Sequence, residues 1–289
     1  MSEDFECEWG SRDWFAHLYA KQGVENPAAY FGHQSSGYQK FRHKGICEVL
    51  GHGGIKKGSR VLDLGCGTGE LTARIAEKVE AQDCLGIDFV KEAVDRARVR
   101  YPDLRFEASD LLKAQQPAGS WDLVVASEVF YYLAPDIRKR WQDEIEGLLK
   151  PGGVMLFASV LGQGYFTRAE ARGFVEEGME VEIERVEHHW LYHKITSPLM
   201  KVCLFKMYWE EGSEPGLKGS KEKFRRAARW MSVPGMSKLL GLAGWLSGLI
   251  LRSEKLPQMC SWLNGGLFPL TGCETNIVIL GRKPAAAPA

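Results

Sequence analysis

The sequence predicts an α/β protein, and three observations carry that prediction. Residues 60–64, Arg60-Val61-Leu62-Asp63-Leu64, form an apolar run that ends in Gly65-Cys66-Gly67-Thr68-Gly69. A helical pattern, Glu70 to Lys78, follows at once. Further runs of strand length then alternate with helical patterns as far as Glu187, the signature of a largely parallel sheet with crossover helices. The 289 residues, 45% hydrophobic and 26% charged, suit one large domain or a domain with an insertion.

The glycine turn comes first. Strand, tight turn and helix make a ligand crevice at the edge of an open α/β sheet. Glycine reaches positive φ and puts no Cβ in the way of a ligand. The spacing here is G-x-G-x-G, unlike the G-x-G-x-x-G that holds a dinucleotide pyrophosphate. A second strand, Cys84–Asp88, ends in an acid and leads into a helix from Val90 to Arg100 with Ala93, Val94 and Ala97 on one face. A third, Leu104–Ala108, leads to Ser109-Asp110-Leu111. A fourth, Trp121–Ala126, runs into Ser127-Glu128-Val129-Phe130-Tyr131-Tyr132-Leu133. Leu148-Leu149-Lys150-Pro151-Gly152-Gly153 reads as a helix end and turn before a fifth strand, Val154–Ala158. Thr167-Arg168-Ala169-Glu170 has the form of a capping box and opens a helix to about Glu177. Met179 to Glu187 alternates apolar and charged residues as a sixth strand, and Thr275–Leu280 is the seventh.

The string VLDLGCGTG, residues 61–69, resembles motif I of the class I S-adenosylmethionine-dependent methyltransferases, and the L-K-P-G-G turn is a second shared hallmark. The resemblance covers roughly residues 55–190 and the last strand. It implies a seven-stranded, mostly parallel, doubly wound sheet with helices on both faces. It also implies S-adenosyl-L-methionine as cofactor and S-adenosyl-L-homocysteine as product, with no metal. By resemblance, Asp63, Gly65, Cys66 and Gly67 belong to the cofactor loop, and Asp88, with Phe89 beside it, faces the ribose. Asp110 accepts from the adenine amino group, Leu111 lies against the ring, and Ser127 completes the set. Where relatives often carry a histidine after the fourth strand, this chain has Tyr131-Tyr132, so a catalytic histidine does not carry over there. The Ser-Glu-Val-Phe-Tyr-Tyr-Leu string is closer to the nodulation-type N-methyltransferases.

Two regions depart from a minimal core. The arm, residues 1–55, is rich in aromatics. Within it, Tyr38 and Arg42 are four residues apart, on one face if that segment is helical. Either can reach the carboxylate of the cofactor's methionine part. The core spans 56–188. An insertion, 189–272, lies between the last two strands, followed by the final strand (273–283) and a tail (284–289). A structureless connection of that length is improbable. Lys221 to Trp230 is strongly basic, and Pro234 to Leu251 is apolar except for Lys238, with Leu239, Leu242, Leu246, Leu249 and Ile250 at helical spacing. Ser237, Gly241, Gly244 and Gly248 form a stripe of small residues on another side. A basic helix beside an apolar one with tryptophans has the composition of an interfacial membrane element. A lid, a homodimer interface and a membrane-surface contact through 221–251 all remain open.

Lysine plus arginine equals aspartate plus glutamate, so formal net charge is zero and a nucleic-acid partner is not expected. Seven scattered cysteines form no C-x-x-C pair, and Met-Ser-Glu-Asp-Phe-Glu lacks the features of a secretion signal. The expected location is cytoplasmic, with peripheral membrane association open. For catalysis the candidates are His189 as general base, Glu128 and Tyr132. The leading expectation is methyl transfer to N or O of a small, lipophilic or lipid-linked acceptor. An amino sugar or other soluble amine is the alternative substrate. A non-catalytic S-adenosylmethionine-binding scaffold is the alternative of another class.

Overall fold

The computed structural model describes residues 11–21, 37–110, 116–162, 164–212, 220–266 and 274–285. In chain order the described helices are α1 (Arg12–Lys21), α2 (Gly37–His52), α3 (Glu70–Lys78), α4 (Lys91–Arg100), α5 (Pro135–Leu148), α6 (Arg168–Glu176), α7 (Trp190–Glu211), α8 (Ser220–Ala228), α9 (Met236–Arg252) and α10 (Lys255–Gly266). The strands are β1 (Arg60–Leu64), β2 (Asp83–Asp88), β3 (Arg105–Ala108), β4 (Trp121–Ser127), β5 (Leu149–Val160), β6 (Glu180–Glu187) and β7 (Asn276–Arg282). The chain forms two units, a core of residues 42–190 and 268–289 and a helical unit of residues 1–41 and 191–267. The boundary falls inside α2, so the arm expected as one piece over 1–55 divides between the units.

The core is built on one seven-stranded sheet of order β3-β2-β1-β4-β5-β7-β6. β1 to β5 pair in parallel, and β7 is antiparallel to both β5 and β6. β6 therefore points the same way as β1–β5. The order reverses between β1 and β4, whose connections leave in opposite directions, and the crevice of an open α/β sheet forms at such a point.

Alternation along the strands sorts the core into two layers. Leu62, Leu64, Val124, Ala126, Met155 and Phe157 join Trp141 and Ile145 of α5 and Ala171 and Val175 of α6. Val61, Leu123, Val125, Leu156 and Val278 join Leu71 and Ile75 of α3 and Ile46, Val49 and Leu50 of α2. Helices thus cover both faces, which explains why β1 and β4 read as near-continuous apolar runs.

Two local features differ from the sequence reading. The Pro151-Gly152-Gly153 segment is a register shift within β5 rather than a turn ahead of it. Trp121 opposes Leu149, the pairing then jumps to Leu123 opposite Val154, and Gly152 sits at φ +76°. Proline lacks a ladder donor and glycine takes the positive φ, which is the chemistry of a bulge. At α6 the capping box forms on both sides: Glu170 N donates to Thr167 Oγ1 at 3.2 Å, and Thr167 N donates to Glu170 Oε2 at 2.7 Å.

In the helical unit Tyr38 of α2 stacks on Tyr192 of α7, with ring centroids 4.6 Å apart, beside buried Cys260. α9 turns Gly244, Ser247 and Leu251 inward. A Cβ on Gly244 would lie 2.3 Å from Cδ of Lys206, and Cys203 Sγ of α7 donates to the Gly244 carbonyl at 3.7 Å. No single described helix is long and apolar enough to cross a membrane; Glu222–Met231 and Met236–Arg252 pass that test only as a pair bent by 119°.

Candidate functional site: a glycine cradle and a buried polar cluster

The site lies at the C-terminal ends of β1, β2 and β4. Gly65, Gly67 and Gly69 have φ of +75°, +53° and +80°. For two of them packing adds a second requirement. A Cβ on Gly65 would stand 2.3 Å from Cγ2 of Val129, and one on Gly69 would stand 2.8 Å from the Phe106 ring. Gly65 N and Cys66 N both donate to the Ile87 carbonyl, at 2.7 and 3.0 Å, which ties the turn to β2.

Asp88 closes the cradle. Its Oδ2 accepts from Gly67 N and its Oδ1 from Val90 N, each at 2.9 Å. Burial pushes its carboxyl above the ordinary range, and these N–H donors pull the other way. An ionised carboxylate has about four acceptor positions, so capacity remains for ligand hydroxyls. Asp63 is more deeply placed, 2% exposed, and its Oδ2 accepts from Thr72 Oγ1 at 2.5 Å. Burial raises its pKa to about 7, the Thr72 hydroxyl holding it down and Asp88 adding to the rise.

The other predicted cofactor residues are distributed unevenly. The Cys66 side chain is buried among Val94, Ala97 and Phe106, so only its backbone faces the turn. Asp110 is exposed after β3, Phe89 follows Asp88, and half-buried Ser127 ends β4 opposite Ala158. Leu111 lies outside the described residues. Tyr38 belongs to the helical unit, in the stack with Tyr192.

At the end of β4 the chain turns sharply. Glu128 has φ +62°, an uncommon conformation for a residue with a side chain, and its N–H donates to the Ala158 carbonyl at 2.9 Å. Such backbone conformations concentrate at functional sites. The Glu128 carboxylate is a hub. Oε1 is ion-paired with Nη2 of buried Arg42, and Oε2 accepts from Tyr131 Oη at 3.0 Å. Tyr132 Oη is 3.3 Å from Tyr131 Oη, and the Tyr165 ring meets Tyr131 edge-on at 5.0 Å. Burial, then the Glu128 charge, pushes the Tyr131 phenol well up and keeps it a donor.

His189 follows β6, at the end of the sheet that carries the site. β6 does deliver it to the same sheet edge, but the side chain is 1% exposed and Nε2 lies 3.0 Å from Glu187 Oε2. Burial alone would raise the Glu187 carboxyl; the His189 hydrogen bond and charge, with Arg42 and Arg185, bring it below its ordinary value. Glu128 and Tyr132 are brought together, while His189 pairs elsewhere. Sequence reading missed Tyr131, Tyr165 and Thr72. Their roles depend on tertiary neighbours, although Thr72 lies nine residues after Asp63, in the first turn of α3.

A methyltransferase-domain family profile matches residues 61–153, from β1 into β5. Trans-aconitate 2-methyltransferase of Deinococcus radiodurans is 35% identical over 102 residues, 34% of this chain and 36% of that protein. The chain spans about a third to a half of the length of the curated relatives it matches. Among solved structures, the N-methyltransferase NodS from Bradyrhizobium japonicum, in complex with S-adenosyl-L-homocysteine, superposes with TM-score 0.50 at 20% identity. That match covers 60% of this chain and 89% of NodS. The MccD protein superposes with TM-score 0.51 at 14% identity over 82% of this chain and 95% of its own. These two likenesses show the fold.

Sheet order, glycine cradle and matched segment agree: residues 61–153 carry a methyltransferase domain, and the core has the fold of the class I S-adenosylmethionine-dependent methyltransferases. The cofactor of that family is S-adenosylmethionine. The residues present fit it, because the positive-φ glycine turn closes tightly at the C-terminal end of β1 and Asp88 retains acceptor capacity at the tip of β2. Among the described residues no cluster of His, Cys, Asp and Glu is placed to hold a metal ion.

Proposed function

We propose that this chain transfers a methyl group from S-adenosylmethionine to N or O of a small, lipophilic or lipid-linked acceptor. One observation carries the reading. The cofactor cradle around Gly65–Gly69 and Asp88 shares a sheet edge with the strained Glu128 and its tyrosines. In this reading Gly65, Gly67 and Asp88 hold the cofactor from the β1–β2 side, with Asp110 toward the adenine.

Bound S-adenosylmethionine supplies an electrophilic methyl group, so the chain's main task is orientation. Glu128 and Tyr132 then meet the acceptor. The Glu128 carboxylate can hold an amine or accept its proton, and the phenols of Tyr131 and Tyr132 supply polar contacts on an aromatic wall. Arg42 anchors Glu128 from behind. The lipophilic acceptor is supported by the large apolar residues exposed on the helical unit. A soluble amine is the second reading, supported by the Glu128 hub alone.

The test is incubation of the full chain with methyl-labelled S-adenosylmethionine and a cell extract, followed by phase partition. Label in an organic-soluble small molecule supports the proposal. Label in a water-soluble amine moves the reading to the second one. Label only in protein or RNA, or none despite cofactor binding, overturns both.

A further inference from the structure

α9 is inside out. Its buried residues are Gly244, Ser247 and Leu251, whereas Leu239, Leu242, Trp245, Leu246, Leu249 and Ile250 are exposed. A water-facing helix normally does the opposite, hiding its large apolar side chains and exposing the small polar ones. Of the small residues, Gly244 is seated against Lys206 and Cys203 of α7, whereas Ser237 is exposed and Gly241 and Gly248 have open space beside them, so turning the helix over would break the Gly244 contact. Large apolar side chains are exposed on the neighbouring segments too. Trp230, Trp245 and Trp262 are 67%, 60% and 69% exposed, and Val233 and Met259 are exposed with them. Six large apolar side chains exposed on one helix mark an interaction site.

Charge distinguishes the occupants. Residues 220–266 contain eight lysines and arginines against two glutamates, in a chain whose net charge is zero. Lys223, Arg225, Arg226, Arg229, Lys238, Arg252 and Lys255 are all exposed. Two copies meeting through this region would bring like charge to like charge. An anionic bilayer surface is complementary. Its headgroups attract the basic side chains, the acyl boundary accepts the leucines, and tryptophan settles at the level between. α8 and α9 form no straight span, the two segments being bent by 119°, so the mode is lying in the surface rather than crossing it.

We propose that the face built from Trp230, Leu239, Leu242, Trp245, Leu246, Leu249 and Trp262, with the basic residues of α8, seats this protein on the surface of an anionic membrane. Docking needs neither cofactor nor acceptor, so it stands or falls apart from the methyl-transfer reading.

The test uses the full chain and vesicles of phosphatidylcholine with or without phosphatidylglycerol, read by co-sedimentation and tryptophan fluorescence. The chain should bind the anionic vesicles with a blue shift and bind the neutral ones far less. Binding should weaken as ionic strength rises from about 0.01 M to about 0.15 M, which shortens the screening length from about 30 Å to about 8 Å. The Leu242→Asp/Trp245→Asp variant should lose at least about tenfold in partitioning, because both side chains leave the acyl boundary. Lys223→Gln/Lys238→Gln should lose about tenfold through the headgroup attraction. All four side chains are exposed, so the melting temperature should not move; circular dichroism checks that each variant folds. No binding to anionic vesicles at low salt overturns the proposal, as does undiminished binding by the aspartate variant. A dimer in sedimentation equilibrium that the aspartate variant splits, with no vesicle binding, assigns the face to a second copy instead.

Discussion

Replacing Asp63 with asparagine should stabilise the core above neutral pH and leave it unchanged in acid. Asp63 is 2% exposed on β1, and its carboxyl is raised from 3.8 to about 7 by burial and by Asp88, against the pull of the Thr72 hydroxyl. A displacement of about three pH units corresponds to roughly 4 kcal/mol as an upper limit, since relaxation of the site reduces it. The sign follows from proton linkage. The folded chain holds this proton more tightly than the unfolded chain, so the favourable contribution is complete below about pH 4. It is lost as pH rises through about 7, where the buried carboxylate must ionise. Asparagine has the same shape, carries no charge and still accepts from Thr72. The assay is urea denaturation of both proteins from pH 4 to pH 8. Asp63→Asn should gain about 2–4 kcal/mol over the parent at the alkaline end and nothing at the acid end. If Asp63 serves the cationic cofactor, the same variant should bind S-adenosylmethionine about tenfold more weakly at pH 8 and equally at pH 5, a loss of one charge interaction. A stability difference that does not change with pH, or a variant less stable at pH 8, refutes the reasoning.

Gly65→Ala should cost about 2–4 kcal/mol, combining a left-handed backbone with the clash on Val129. Adding Val129→Ala should recover the clash but not the backbone part, as thermal melts of the three variants would show. For the Arg42–Glu128 pair, Arg42→Met should destabilise by about 3 kcal/mol, because it leaves the Glu128 carboxylate with the Tyr131 hydrogen bond but no opposite charge. Glu128→Gln should cost less and lower methyl transfer with little effect on cofactor affinity, readable from denaturation and calorimetry. A milder effect of Arg42→Met than of Glu128→Gln would contradict the arrangement described.

The frame was legible because it depends on local signals. The helix expected over Glu70–Lys78 is α3 to the residue, and the Thr167–Glu170 box caps α6, since both follow from backbone chemistry within a few positions. Strand limits moved by a residue or two, except at Pro151-Gly152-Gly153, where pairing on both sides absorbs the interruption into β5. The cradle was legible from glycines and acids at fixed spacing. The polar cluster was not. Arg42 and Glu128 are far apart in sequence, and nothing local distinguishes Tyr131 Oη, which reaches Glu128, from Tyr132 Oη, which reaches Tyr131. For His189, strand direction gives the sheet edge, but only the partner Glu187 shows how the ring is held. In α9 periodicity separated the leucine face from the small stripe without saying which faced inward. The packing of Gly244 on Lys206 decided it.

The most direct test of the central claim is calorimetric titration of S-adenosylmethionine into the parent chain and Asp88→Ala, with melting temperatures alongside. One site per chain is expected in the parent. In the variant affinity should be at least about tenfold weaker, since the carboxylate acceptor at the tip of β2 is lost. Absence of binding by the folded parent chain, or equal affinity in the folded Asp88→Ala variant, would contradict the assignment of this cradle to the cofactor.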